Sequence, residues 1–187
     1  MRNKILETSI LLFDVRGFKE TSVQDIVDEL GVTKGTFYYY FNSKNELLEH
    51  ISMSFIEEIS TKQEEIINDQ SKDCTTKLYE IVNMLVRNIK TDRRSARIFF
   101  REMRNIDEKY FLKIKAKRAQ FKVRYQDLIE DGIKKGEFKE SLNSDILTFG
   151  ILGITNWSYY WFNPEGIISE DKLTDIYVDL ILNGIKK

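Results

Sequence analysis

Proline occurs only once among the 187 residues of this chain, at Pro164, and nine glycines are spread over the rest. A fold of many short strands needs frequent turn residues, whereas long helices need few. Hydrophobic residues recur at spacings of three and four through most of the chain, which is typical of amphipathic helices. The sequence therefore predicts an all-α protein of about nine helices, long enough to hold a small domain beside a larger one.

The residue content argues against several classes of protein. Cys74 and His50 are the single cysteine and the single histidine, so we expect no disulfide, no metal site and no cofactor. The sequence contains no recognisable nucleophile–base pair or phosphate-binding glycine loop, which argues against an enzyme. The apolar run at residues 10–13 is too short for a signal peptide, so we expect a protein of the reducing cytoplasm.

The first fifty residues carry dense start and stop signals for helices. Helical spacing runs from about residue 3 to residue 16. Ser22-Val-Gln-Asp25 has the form of a capping box that begins a second helix, and Gly31 ends that helix. Thr33 is an N-cap for a third helix, and a second capping box at 43–46 begins a long fourth helix. Only residues 31–33 separate the second and third helices, which is the tight turn of a helix-turn-helix.

The third helix, predicted from Lys34 to about residue 41, has the composition of a DNA-reading element. Phe37 and Phe41 lie four residues apart and are predicted to anchor its inner face. The outer side chains are hydroxyls, a lysine and tyrosines, which suit phosphate oxygens and base edges better than a protein core. Gly35 costs helix stability, which is reasonable where the backbone must approach a groove closely. The outer residues are Thr33, Lys34, Thr36, Tyr38 and Tyr39.

The segment GVTKGTFYYYFNSKNELL, at residues 31–48, resembles the signature of the tetracycline-repressor (TetR) family, and the likeness covers roughly residues 4–50. The resemblance implies that Lys44, and Thr21 or Ser22, contact DNA phosphates. Many members carry histidine where this chain has Tyr40, whose hydroxyl could also donate to a phosphate. The resemblance further implies that a set of residues in and before the third helix faces operator DNA: Thr33, Lys34, Gly35, Thr36, Tyr38 and Tyr39.

The chain is predicted to divide into a helix-turn-helix DNA-binding domain at residues 1–50 and a ligand-binding and dimerisation domain at residues 51–187. The long fourth helix is expected to join them. Residues 87–124 hold 14 Lys and Arg against 4 Asp and Glu, although the whole chain has a net charge of −1. This basic block is either a solvated face balanced by acidic helices or a source of cations for an anionic, phosphate-bearing ligand.

Residues 146–164 contain no charged side chain, and their apolar residues cover every face of a helix. This pattern is typical of a membrane span or of deep burial. Its glycines and polar residues favour a helix buried at a subunit interface, so we expect no membrane association. As in TetR proteins, the last two helices are expected to form a four-helix interface of a homodimer, which reads a palindrome. The predicted interface residues are Phe149, Gly150, Gly153, Ile154, Trp157, Leu173, Ile176 and Leu180.

A second, narrower resemblance concerns a TetR subgroup that represses fatty-acid or steroid catabolism and is released by acyl-CoA thioesters. The matching residues are Asn156, Trp157, Trp161, Pro164 and Gly166, close behind Gly153. Such an effector needs an aromatic-lined tunnel for its acyl chain and cations for its phosphates. The candidate aromatic residues are Phe99, Phe100, Phe121, Tyr125, Trp157 and Trp161, and the candidate cations are Arg101, Arg104, Arg118 and Arg124.

Two alternatives stay open at this point. Each of these aromatic side chains is also compatible with ordinary core or dimer packing. The small-molecule effector is also compatible with a neutral hydrophobic drug or an aromatic metabolite in place of an acyl-CoA. In both cases the sequence predicts a ligand-responsive transcriptional repressor that binds DNA through residues 1–50.

Overall fold

The computed structural model describes residues 1–185, with side chains up to residue 183. Within this range the chain forms eight α-helices and no strand, which confirms the all-α class. The helices are α1 (Arg2–Arg16), α2 (Val23–Leu30), α3 (Lys34–Tyr40), α4 (Lys44–Asn68), α5 (Cys74–Glu102), α6 (Glu108–Lys134), α7 (Ser144–Trp161) and α8 (Glu170–Ile185). A short 3-10 helix, Met103–Asn105, lies between α5 and α6.

The local signals that begin and end α2 and α3 are present as hydrogen bonds. The Ser22 hydroxyl accepts from the Asp25 backbone N–H at 3.1 Å, and the Asp25 carboxylate accepts from the Ser22 N–H at 2.7 Å. Gly31 ends α2 in the left-handed conformation, with φ 65° and ψ 35°. The Thr33 hydroxyl then accepts from the Thr36 N–H at 3.3 Å. The predicted helix-turn-helix is confirmed.

The long helix α5 takes the place of two of the roughly nine helices that the sequence predicted, the second of which was expected to begin at Thr91-Asp92. The start signal at Thr91 and Asp92 lies inside one continuous helix, where Asp92 alone has a non-helical backbone, with φ −138° and ψ 33°. Helical geometry resumes directly after Asp92, so the signal marks a kink and not the end of a helix. This is why the structure has eight α-helices where the sequence predicted about nine.

A carboxylate from the segment after α6 holds the N-terminus of α5. Glu137 accepts hydrogen bonds from the backbone N–H groups of Cys74, at 3.1 Å, and Thr75, at 2.8 Å. Burial on its own raises the pKa of Glu137, but these hydrogen bonds outweigh burial and hold its pKa below the usual value. Glu137 therefore acts as an N-terminal cap for α5 although it lies 63 residues away from Cys74.

The chain divides into two compact units, and several helices contribute residues to both. Unit 1 comprises residues 1–57 and 94–116, and unit 2 comprises residues 58–93 and 117 onward. Unit 1 has a core of side chains from α1 to α4 and from the end of α5, among them Ile5, Phe13, Ile26, Phe37, Leu47, Phe55 and Phe99. The core of unit 2 includes Leu78, Ile81, Val82, Leu85, Tyr125, Ile129 and Tyr159. The domain boundary near residue 50 stays a prediction, and the predicted second domain ends two residues beyond those described.

Candidate DNA-binding interface and effector region

The helix α3 buries its phenylalanines and exposes its tyrosines. Phe37 is fully buried, and Phe41, which follows the helix, is buried as well. Tyr39 is 81% exposed and Tyr38 is 52% exposed. Around them, Thr33, Lys34 and Gly35 are exposed and Thr36 and Tyr40 are half-buried. The predicted DNA-facing side of α3 is thus presented to solvent, on a helix anchored from behind by Phe37.

No packing contact inside the chain requires the glycine at position 35. A Cβ atom added to Gly35 would have the Thr33 hydroxyl oxygen as its nearest neighbour, at 3.5 Å, which is an ordinary van der Waals contact. The backbone of Gly35 is also compatible with L side chains, because its φ is not positive. The chain itself therefore gives no reason for a glycine at this position, and close approach to DNA stays the reason that the sequence predicts.

The three predicted phosphate contacts around α2 and α4 are placed differently from one another. Ser22 is exposed, whereas Thr21 is fully buried and its hydroxyl donates to the Gly17 carbonyl at 2.8 Å. The Thr21 side chain is therefore a poor candidate for a phosphate contact, and Ser22 is the better of the two. Lys44 donates to the carbonyls of Phe18 and Thr21, both at 2.7 Å, and its ammonium lies 4.3 Å from the Phe18 ring centroid.

The Lys44 ammonium makes two contacts inside the chain and has one further N–H donor. Partial burial lowers the pKa of the Lys44 ammonium, and the carboxylates of Glu20, Asp25 and Glu102 act against this effect. An ammonium group has three N–H donors, and the two carbonyls take two of them. Lys44 thus fixes the loop before α2 and keeps one donor for a phosphate.

Two arginines on α5 bind the C-terminal end of α1, a contact that no local sequence pattern indicates. Arg97 donates through Nε to the Asp14 carboxylate at 2.8 Å, and its second nitrogen contacts the other carboxylate oxygen. Arg101 donates to the Asp14 carbonyl at 3.3 Å and to the Phe13 carbonyl. Cations at the last carbonyls of a helix are favourable because the helix dipole is negative there. We name Asp14, Arg97 and Arg101 the α1 clamp.

Many other cations of the basic block also have partners within their own unit. In unit 2, Arg87 contacts Asp171 at 2.6 Å and Arg124 contacts Glu64 at 2.8 Å. Arg93 donates to the carbonyl of Tyr159, near the end of α7, at 3.0 Å. These contacts favour the interpretation that acidic groups of other helices balance the basic block.

The predicted ligand-binding residues fall into both units. In unit 1, Phe99 is buried against Phe55, with ring centroids 5.0 Å apart, and Arg101 belongs to the α1 clamp. Phe100 is half-buried and Arg104 is exposed. In unit 2, the rings of the buried residues Phe121 and Tyr125 lie 6.3 Å apart, whereas Trp157 and Trp161 are 64% and 50% exposed. Only Phe121 and Tyr125 therefore have the buried, mutually adjacent placement expected for an internal ligand.

The helix α7 has one covered face and one exposed apolar face. Ile151, Thr155 and Tyr159 are buried in unit 2, so the chain by itself covers one face of this helix, and burial of the other face at a subunit interface stays a prediction. Phe149 and Trp157, 56% and 64% exposed, lie on the opposite face. With them lie Gly150 and Gly153, which are exposed, and Ile154, which is half-buried. A Cβ atom added to either glycine would meet no atom of the chain within 4 Å.

The helix α8 also has an exposed apolar face, but one of its three predicted interface residues is buried. Ile176 and Leu180 are 44% and 63% exposed, as expected for interface residues. Leu173 is only 3% exposed and packs inside unit 2, so its prediction as an interface residue is wrong. The helix turns Leu173 inward together with Val178 and Ile181, which are also buried.

Two family models match the sequence in agreement with this geometry. The model described as bacterial regulatory proteins of the tetR family matches residues 5–51, which include α1 to α3. The model described as a tetracyclin repressor-like C-terminal domain matches residues 71–185, which is more than half of the chain. Among the described residues, no helix combines the length and the apolar character needed to cross a membrane.

Individual relatives extend the similarity over nearly the whole chain. The HTH-type transcriptional repressor KstR2 of Rhodococcus jostii is 25% identical over 186 residues, covering 98% of this chain and 90% of the relative. The structure of the ketosteroid transcriptional regulator KstR2 of Mycobacterium tuberculosis matches with a TM-score of 0.93 and 24% identity, covering 100% of this chain and 95% of that one. AibR, solved in complex with isovaleryl coenzyme A and operator DNA, matches with a TM-score of 0.85 and 20% identity, each chain being 96% covered.

Because the two solved structures are only 24% and 20% identical to this chain, they show that the fold is shared. Membership of a family is shown by the family models, which match the sequence itself. The helix-turn-helix formed by α2 and α3 is the feature that the N-terminal family model and the structure have in common. The chain is a regulator and not an enzyme, and it belongs to the TetR family of bacterial transcriptional regulators.

Proposed function

We propose that this chain is a repressor that binds a palindromic operator as a homodimer and is released by a long-chain acyl-CoA thioester. The observation that carries the DNA-binding part is the exposed outer face of α3, the second helix of the helix-turn-helix. A single helix of seven residues reads few base pairs, so two copies related by a twofold axis are needed for a specific site.

The exposed apolar face on α7 and α8 supports the homodimer. Contiguous exposed apolar side chains on a soluble protein mark interaction surfaces. Gly150 and Gly153 lie in this face with open space above them, which allows the backbone of a partner helix to come close. A twofold interface buries the same patch from both copies.

The acyl-CoA effector is supported by the C-terminal signature and by two relatives. KstR2 is named a repressor and a ketosteroid regulator, and AibR was solved with isovaleryl coenzyme A and operator DNA. The buried aromatic pair Phe121 and Tyr125 offers an apolar lining for the hydrocarbon part of such a ligand.

The α1 clamp suggests how release is transmitted. Residues 94–102 of α5 belong to unit 1 and hold the end of α1, while residues 74–93 of the same helix belong to unit 2. The kink at Asp92 lies beside this boundary, directly before Arg93, which donates to the Tyr159 carbonyl, and five residues before Arg97, which binds Asp14. An effector that changes the backbone conformation of α5 at Asp92 displaces Arg97, and through the α1 clamp it displaces α1 and weakens operator binding.

Thermal shift tests the effector, with palmitoyl-CoA, free CoA, palmitate and isovaleryl-CoA as probes. A ligand at a hundred times its Kd adds about 2.7 kcal/mol of stability, which is several degrees in Tm for a chain of this size. We expect a large shift with palmitoyl-CoA and small shifts with free CoA or palmitate. An equal shift with palmitate, or a shift only with neutral lipophiles, would contradict the thioester and favour a neutral drug or aromatic metabolite.

Operator release is the second measurement. DNA fragments that the protein selects from a random pool provide the operator, and fluorescence anisotropy gives its Kd with and without palmitoyl-CoA. We expect Lys34→Ala to weaken binding and to reduce its salt dependence, because a phosphate contact is lost. Lys113→Ala, which removes an exposed lysine on α6 of the same unit, is the matched control and should leave binding unchanged. Equal effects of the two substitutions would contradict the assignment of α3.

A further inference from the structure

Three buried polar atoms in unit 2 have no hydrogen-bond partner among the residues that the structure describes. They are the Ser60 hydroxyl oxygen, the Gln63 carbonyl oxygen Oε1 and the Tyr125 hydroxyl. Gln63 and Tyr125 are fully buried, and Ser60 is only 6% exposed. Buried polar groups in folded proteins are nearly always hydrogen-bonded, so three unpaired atoms in one unit require an explanation.

The three residues belong to neighbouring turns of α4 and α6. The Gln63 amide nitrogen donates to the Phe121 carbonyl at 2.9 Å, which connects the two helices. Tyr125 lies one turn after Phe121, and Ser60 lies one turn before Gln63. The residues that carry the unpaired atoms therefore lie within one helical turn of the point where this hydrogen bond joins α4 and α6, and the Tyr125 ring lies 6.3 Å from the Phe121 ring.

The chemistry of the group is determined by the contact that Gln63 makes. The Phe121 carbonyl can only accept, so the Gln63 NH2 must face it, and Oε1 is left as an acceptor. Burial raises the pKa of the Tyr125 phenol, which stays protonated and can donate. Ser60 adds a hydroxyl that can donate or accept. The group thus combines two hydroxyl donors with one carbonyl acceptor and carries no charge.

We propose that Ser60, Gln63 and Tyr125 form a polar subsite that binds an uncharged oxygen function, a ketone or a hydroxyl, on the hydrocarbon part of the effector. A ketone accepts from the two hydroxyls, and a hydroxyl can also donate to Gln63. A carboxylate or phosphate does not suit the subsite, because burying a charge without a counter-charge is costly. This inference rests on the proposed function in one respect only, namely that the effector carries a CoA thioester.

A plain saturated chain leaves all three atoms unpaired, so it should be bound less tightly than a chain of the same length that carries an oxygen function at the subsite. Sites built to hydrogen-bond a ligand group reject analogues that lack it more strongly than apolar pockets reject a missing methylene. We expect the oxygenated member of a matched pair to bind roughly 10- to 100-fold more tightly than the plain member.

Calorimetric titration of the full chain with matched thioesters tests this preference. The probes are decanoyl-CoA, 9-oxodecanoyl-CoA and 9-hydroxydecanoyl-CoA, together with cyclohexylacetyl-CoA and 4-oxocyclohexylacetyl-CoA. Tyr125→Phe should weaken binding of the oxygenated thioesters and leave the plain ones unchanged. Equal affinity within each pair, or an equal loss for both members in the variant, would overturn the subsite.

Thermal stability without any ligand gives an independent result. Tyr125→Phe should leave the Tm unchanged or raise it, because the hydroxyl makes no bond that the fold needs. The matched control is Tyr159→Phe, since the equally buried Tyr159 hydroxyl donates to the Leu85 carbonyl at 3.3 Å and its loss should lower the Tm. A comparable fall in Tm for Tyr125→Phe would show that buried water serves the hydroxyl in the fold, and would overturn the proposal.

The outcome also separates this inference from the proposed function. If no thioester binds, the acyl-CoA effector is wrong, and the same comparison is made with 2-decanone against decane. A preference for 2-decanone that Tyr125→Phe abolishes would keep the subsite in the absence of a CoA ligand. No preference in that pair either would overturn the subsite as well.

Discussion

The substitution Gly35→Ala is expected to strengthen the fold and weaken operator binding at the same time. Alanine in place of a helical glycine adds about 0.5–1 kcal/mol of stability by reducing the entropy of the unfolded chain. The added Cβ atom lies 3.5 Å from the Thr33 hydroxyl oxygen, so no steric cost opposes this gain. For a chain of this size the Tm should rise by about 1–4 °C.

The same methyl group should prevent close approach of α3 to a DNA groove. Each good base contact contributes about 1–3 kcal/mol, and a dimer loses such a contact in both half-sites. A loss of about 2 kcal/mol or more corresponds to a roughly 30-fold or larger increase in the operator Kd. Calorimetric unfolding and fluorescence anisotropy at one fixed salt concentration measure the two effects separately.

Gly31→Ala is the control for the stability change. Gly31 has φ 65°, and a Cβ atom added there would meet no atom within 4 Å, so neither site has a steric obstacle and backbone strain is what distinguishes them. The left-handed conformation costs an alanine about 1–2 kcal/mol, and the Tm should fall. If Gly35→Ala raised the Tm and bound operator like the wild type, the reasoning that places Gly35 against DNA would be refuted.

Three further outcomes are expected. Gly153→Leu should give a folded monomer by sedimentation velocity, because no atom of the chain occupies the space above Gly153; an intact dimer would contradict the α7 interface. Asp14→Asn should lower the free energy of unfolding, measured in urea, by about 1.5–3 kcal/mol, since charged hydrogen bonds from Arg97 are lost. Palmitoyl-CoA should then release less operator from this variant, and unchanged release would exclude the α1 clamp from signalling. Glu137→Gln should be less stable at pH 7, and the difference should shrink on acidification, because the pKa of Glu137 is lowered in the folded state. The stabilisation by Glu137 is thus present above its unfolded pKa of about 4.3 and is lost as the pH falls through the folded pKa. If the difference in Tm between the wild type and Glu137→Gln were the same at pH 7 and pH 3, this cap would be contradicted.

The elements that were predictable from sequence depend on residues close together in the chain. The capping box at Ser22 and the stop at Gly31 act over three or four residues, so α2 and the turn after it follow from the sequence. The α1 clamp joins Asp14 to Arg97 across 83 residues, and no local pattern indicates it. Asp14 also lies about half a turn around α1 from the buried Ile5, on the side that the apolar pattern leaves polar.

The sequence alone does not decide which face of α7 is buried, because several faces of this helix are equally apolar. Phe149 and Ile151 are indistinguishable by composition, yet one is 56% exposed and the other is buried. Only packing against the other helices of unit 2 decides between them. The sequence does contain one indication of a buried polar residue. Gln63 interrupts the apolar series of α4 four residues after the buried Ile59, at a spacing that favours a hydrophobic residue.

Some residues of this chain lower its stability relative to a simple substitution at the same position. These residues fall into two groups. Gly132 is required by the chain itself, because a Cβ atom there would overlap the Phe138 ring. Gly35 and Gly153 have no such internal reason, and the unpaired Tyr125 hydroxyl lowers stability without a benefit to the folded chain. Natural sequences depart from local stability rules mainly where function requires it. The three departures lie on the recognition helix, on the exposed face of α7 and inside unit 2. Each therefore agrees with a different one of the proposed binding partners, namely DNA, a second copy of the chain and the effector.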